Sequence, residues 1–121
     1  MTPHTMSKAF DAALLLHTNV VLDNTNATVA HRLTWIHPAK VRGYHVTVVW
    51  IDLPKPVVMH FNAYRLEMDA SATMVPDVAI HSYFAKRETP TAAEGYDELV
   101  HHTRVILYDA SMEALLVSKR F

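Results

Sequence analysis

The stretch VTVVWIDLPKPVVMHFNAYRL, residues 46–66, decides the fold. Two strand-like runs flank a proline turn, PKP, and both faces of those runs are largely apolar: Val48 and Trp50 lie on one side, Val49 and Ile51 on the other. A hairpin with one wet face alternates apolar and polar residues. Both faces here need cover. With the turn centred on Lys55, Ile51 faces Met59, Val49 faces Phe61 and Thr47 faces Ala63.

Reading outward, ATVAHRLTWIH at 27–37 alternates and predicts a strand, PAKVRG connects it to a strand over 44–53, and VVMHFNAYRLEM at 57–68 is the partner beyond the turn. DASA breaks the pattern, and 77–86 reads as one more strand of a meander. Before the meander, residues 1–6 form a loose tail, a short helix runs from Ser7 to about His17, and NVVL is extended, although a strand over 14–22 fits nearly as well. DNTN at 23–26 is a turn, because Asn and Asp tolerate left-handed backbone. After the meander, Thr91 and Glu94 have capping-box spacing, with His101 and His102 late in the helix they would open over 92–102. Gly95 weakens that helix by about 1 kcal/mol relative to Ala. TRVILYD, ASM and EALLVSKRF at 103–121 read as a hairpin. The expected architecture is a single α+β domain, 1–121, with a mostly antiparallel sheet of about six or seven strands (meander plus C-terminal hairpin) and two short helices.

In that register one sheet face collects Val29, Leu33, Trp35, Val49, Ile51, Met59 and Phe61, a core floor for the helices. The other carries Tyr44, Val46, Val48, Trp50, Val58 and Tyr64, too apolar for water, and is either an interface or a surface covered by the C-terminal hairpin.

Composition bounds the chemistry. The 121 residues are half hydrophobic and 19% charged, ordinary globular usage, and contain no cysteine, which removes disulfides, thiolate metal sites and cysteine nucleophiles. No run is long enough for a membrane-spanning helix, nothing resembles a secretory signal, and an intracellular, cytoplasmic protein is expected. The formal charge is −1 with nine neutral histidines, and protonating all nine would carry it to +8. No basic excess announces nucleic-acid binding: Lys86-Arg87, Lys119-Arg120 and Lys40 with Arg42 are scattered, whereas a dedicated site shows clustered cations with aromatics between them.

With two glycines the chain has no glycine-rich phosphate loop, and it has no nucleophile elbow or H-E-x-x-H motif. The one constellation with chemical content is Asp97, Glu98, His101 and His102, paired i,i+4 on the expected helix; surface ion pairs are the commoner meaning of that pattern. No metal site and no cofactor is expected. The sequence thus reads as a non-catalytic binding and assembly protein of the viral or phage accessory, matrix-like or inhibitor kind, a homo-oligomer with a protein partner, RNA or an anionic membrane being further candidates. The alternative is a small enzyme or ligand-binding domain that uses the Asp/Glu/His cluster of the 92–102 helix.

Overall fold

A computed structural model describes residues 3–69, 71 and 75–104. They fall into two compact units, one built from residues up to Thr47 with Glu88–Glu98, the other from Val48–Arg87 with the residues from Leu99 on. The described elements are α1 (Pro3–Leu15), α2 (Val29–Val41), β1 (Thr47–Ile51), α3 (Lys55–Met68), α4 (Asp77–Lys86), a 3-10 turn (Ala92–Glu94) and β2 (Glu98–His102). The expected antiparallel sheet is corrected: among the described residues there are four helices and one sheet, the pair β1 and β2. Val46 O accepts from Glu98 N at 3.2 Å and His102 O accepts from Asp52 N at 2.8 Å, so pairing advances in the same direction on both strands and the sheet is parallel.

In the first unit, residues 3–6 are helical rather than a tail, and α1 carries Phe10 and Leu14 into the core at helical spacing. Residues 27–37, expected as a strand, form α2. Thr28 is extended and caps the helix by accepting the His31 N–H at 3.2 Å. The buried residues of α2 are Arg32, Trp35, Ile36 and Ala39, spaced i, i+3, i+4, i+7. One member of that stripe is an arginine, so hydropathy conceals the helical period and the alternation of Val29, Leu33 and Trp35 shows instead. Gly43, at φ 82°, ends α2: its N–H donates to Lys40 O and that of Tyr44 to Ala39 O, both at 3.0 Å, a Schellman closure that needs the left-handed residue. Phe10, Leu14, Trp35 and Ala39 form the core, with Met6, Val20, Leu22, Tyr44 and Val46 packed around them. Phe10 meets Trp35 edge-on with ring centroids 5.1 Å apart.

A buried ion pair organises this unit. Arg32 donates from Nε and Nη2 to the two oxygens of Glu94 at 2.6 and 3.0 Å, and from Nη1 to the carbonyls of Asn26 and Ala27 at 2.9 and 3.1 Å. Glu94 also accepts the Thr91 N–H at 2.8 Å, so the expected capping interaction exists, but the helix does not continue. Gly95, at φ 90°, turns the chain out after a single 3-10 turn, and residues 98–102, expected as helix, become β2.

In the second unit, PKP starts α3 instead of turning a hairpin. Pro56 sits in the first turn, where backbone N–H groups have no intrahelical acceptor and a proline costs nothing. The buried residue of α3 is Asn62, whose side chain donates to Val75 O at 2.8 Å and accepts from Val75 N at 3.2 Å. Residues 77–86 form α4, with Asp77 in its first turn, Lys86 in its last and Ile80 buried. The expected C-terminal hairpin lies outside the described residues beyond Arg104.

Burial on its own would raise the Glu94 carboxyl, but the Arg32 hydrogen bonds, the Thr91 N–H and the Arg32 charge outweigh it and hold the carboxyl below its ordinary value. A depressed carboxylate stabilises the fold fully above the unfolded value, near pH ~4.3, and that contribution is lost as pH falls through the folded value. Replacement of Glu94 with Gln is expected to cost about 3–5 kcal/mol at neutral pH by leaving Arg32 buried and unpaired. Urea unfolding followed down the acid range checks this: the variant should also lose stability less steeply than wild type on acidification.

Candidate functional site

In parallel α/β sheets ligands lie outside the carboxyl ends of the strands, because the loops that leave those ends converge there. Asp52 is the first residue after β1, and its N–H is tied to the last residue of β2 through His102 O. Its carboxylate reaches two further groups. One oxygen lies 2.9 Å from His101 Nε2, and the other accepts from Arg87 Nη1 at 3.3 Å, at the end of α4. The His101 ring lies flat against the Trp50 indole, with centroids 4.0 Å apart and planes 3° from parallel. The Arg87 guanidinium rests over the Phe84 ring at 4.7 Å. Side-chain exposure is 27% for Asp52 and 40% for both Arg87 and His101, so the group is half-buried yet open to a solute.

The arrangement has a definite chemistry. A carboxylate only accepts, so the contact with Asp52 places a proton on His101 Nε2, and in the neutral ring Nδ1 is then the acceptor. Arg87 spends one N–H on Asp52, and the rest of its fork has no hydrogen-bond partner among the described residues. A planar guanidinium with free donors beside an aromatic pair is suited to a phosphate group or a carboxylate.

The four residues singled out in sequence are not brought together as an i,i+4 set, because 98–102 is extended. Both oxygens of Asp97 accept from Lys40 Nζ at 2.7 Å and one also accepts the Val46 N–H at 2.7 Å; Lys40 and this backbone donor hold its carboxyl below the ordinary value despite some desolvation. Glu98 accepts from Thr47 Oγ1 at 3.4 Å and stands 3.5 Å from His45 Nε2. His102 is exposed, and His101 meets Asp52, which the sequence reading passed over. An acidic residue directly after the apolar run VVWI was the available signal. Of the six residues expected on one sheet face, Tyr44 and Val46 pack on the first unit's core, Val48 and Trp50 lie on β1, and Val58 and Tyr64 lie on α3. Among the described residues no three His, Asp or Glu side chains converge as a metal would require. The 121 residues also contain no G-x-x-x-x-G-K-[ST] run, the cradle that holds nucleotide phosphates in P-loop enzymes.

A family model described as an AAA domain matches residues 1–90. The chain is 28% identical over 89 residues to the bifunctional polynucleotide phosphatase/kinase of Schizosaccharomyces pombe, covering 74% of this chain and 22% of that protein. It is 30% identical over 96 residues to a protein of Acanthamoeba polyphaga mimivirus that carries the same name provisionally, covering 78% of this chain and 22% of that one. The chain thus spans about a fifth of the length of these curated relatives. These matches overturn the expectation of a non-catalytic, self-associating accessory protein and support the enzyme alternative, although not on the helix where it was placed. The parallel pair and its helices fit an α/β fold of the P-loop kind. No helix among the described residues is long and apolar enough to cross a membrane.

The Asp52 contact sets the His101 tautomer. Long-range nitrogen–carbon NMR correlations of the neutral imidazole should show the proton on Nε2, and Asp52→Asn, whose amide can donate as well as accept, should relax that preference. A proton found on Nδ1 in wild type would contradict the dyad.

Proposed function

The chain belongs to the AAA domain family, and from that premise we propose that it serves a nucleotide-binding, kinase-like enzyme that acts on a polynucleotide. The family match over residues 1–90 carries the reading, and the names of the two relatives supply the substrate class. Phosphoryl transfer makes little covalent demand on a protein; it needs cationic donors around phosphate oxygens and a held acceptor. Arg87, fixed by Asp52 and Phe84 at the end of the strand pair, supports that use. The Walker-type cradle for the donor's phosphates is not among these residues, so no step is assigned to them there. Their part is on the polynucleotide side, where a strand must be gripped by its backbone and bases while its hydroxyl is presented.

Equilibrium binding tests the reading directly. A hydroxyl-ended oligonucleotide should bind saturably and more weakly as salt rises, with a log–log slope near −0.7 for each phosphate contacted in a single strand. ATP should bind more weakly than the oligonucleotide, and a protein that takes up neither overturns the reading.

A further inference from the structure

In sequence, Lys86-Arg87 and the run His101-His102-Thr103-Arg104 are short basic patches, neither of which contains an aromatic residue of the Phe, Tyr or Trp kind, and they stand 14 residues apart, from Arg87 to His101. The fold changes their meaning. It carries Arg87 and His101 to one carboxylate, Asp52, and lays the His101 ring against Trp50. Cations interleaved with aromatics are the composition of a single-strand binding surface, and here three-dimensional structure supplies what linear order lacks.

We infer that Trp50, His101 and Arg87 form a binding site for one unpaired nucleotide of a polynucleotide strand, an inference that rests on the polynucleotide-acting reading above. The base stacks on the outer face of the His101 imidazole, which the Trp50 indole backs from the other side. The neighbouring phosphate accepts from the Arg87 donors that Asp52 does not engage. Each partner is held before the strand arrives. Asp52 fixes the imidazole by its edge and the indole fixes it by its face, while the guanidinium is held by Asp52 and by the Phe84 ring. Little rotamer freedom is left to lose on binding, which favours association. Asp52 is a positioning residue: it touches both groups that meet the strand, His101 and Arg87.

The same carboxylate makes the site selective. It cancels one unit of positive charge next to Arg87, so a bare phosphate gains little there, and stacking has to supply the rest of the affinity. A paired base is already stacked between its neighbours and cannot reach the imidazole without leaving the duplex. The site therefore discriminates in favour of unpaired strand and against both inorganic phosphate and blunt duplex.

Fluorescence anisotropy with a labelled, short single-stranded oligodeoxythymidylate tests this, with circular dichroism confirming that each variant is folded. His101→Ala should weaken binding by about thirtyfold, the middle of the range for loss of one stacked base, and Arg87→Ala by about tenfold, the low end for loss of a hydrogen bond to a charged group. His101→Phe, which keeps a ring to stack and discards the Asp52 contact, should stay within about threefold of wild type. Blunt duplex and inorganic phosphate should compete poorly. The site is refuted, with the polynucleotide reading intact, if wild type binds the oligonucleotide and both alanine variants match it, if His101→Phe is as weak as His101→Ala, or if inorganic polyphosphate competes as well as unlabelled oligonucleotide. A wild-type protein that binds no oligonucleotide removes the reading and this site together.

Discussion

The Arg32–Glu94 pair is the constraint on which the first unit depends. Its members are far apart in sequence and both buried, with side-chain exposures of 7% and 1%. One guanidinium joins α2 to the loop that precedes it, at Asn26 and Ala27, and to the distant turn at Thr91–Glu94. Glu88 adds to the same junction, accepting the Val29 N–H at 3.1 Å while its own N–H donates to Ala27 O at 2.7 Å. A buried pair of this kind adds little net stability over an apolar substitute, but it makes other arrangements expensive, since each would leave a charge without its partner. The unit is fixed in one arrangement by the cost of the alternatives.

From that junction the chain leaves through Gly95 and enters β2, where Asp97 and Glu98 both donate their N–H groups to Val46 O. In the second unit Asp52 N donates to His102 O, and this backbone pairing at the strand ends makes Asp52 and His101 neighbours. The aromatic and charged groups at the strand ends thus follow from backbone pairing, with side chains of β1 and β2 on one face and Arg87 delivered by α4.

Much of this was legible in the residues and some was hidden for physical reasons. The strand at 47–51, the helix carrying Phe10 and Leu14, and the Thr91–Glu94 capping interaction all announce themselves locally. The helices α2 and α3 do not, because each buries a polar residue, Arg32 at the head of the α2 stripe and Asn62 in α3, and hydropathy then reads the remainder as alternation. PKP reads as a turn in sequence because proline ends hairpin arms as readily as it begins helices. The capping box suggested a long helix, and the acidic and histidine residues after it matched i,i+4 spacing by coincidence. His101 and Trp50 were both visible as candidates, but for separate purposes, and Asp52 was not: a parallel pair has no turn to mark its register, so no local pattern reveals which residues stand opposite one another.

That absence of a turn also bears on how the protein reaches its structure. The contact between Asp52 and His101 closes a loop of 49 residues that contains both α3 and α4. Such a closure costs chain entropy before any contact repays it, so the helices and the α2 capping motifs, which need only near neighbours, form ahead of the strand pair. The residues at the strand ends come together in the closing step of folding. A chain caught short of that step would hold its locally specified helices while Asp52 stood apart from His101.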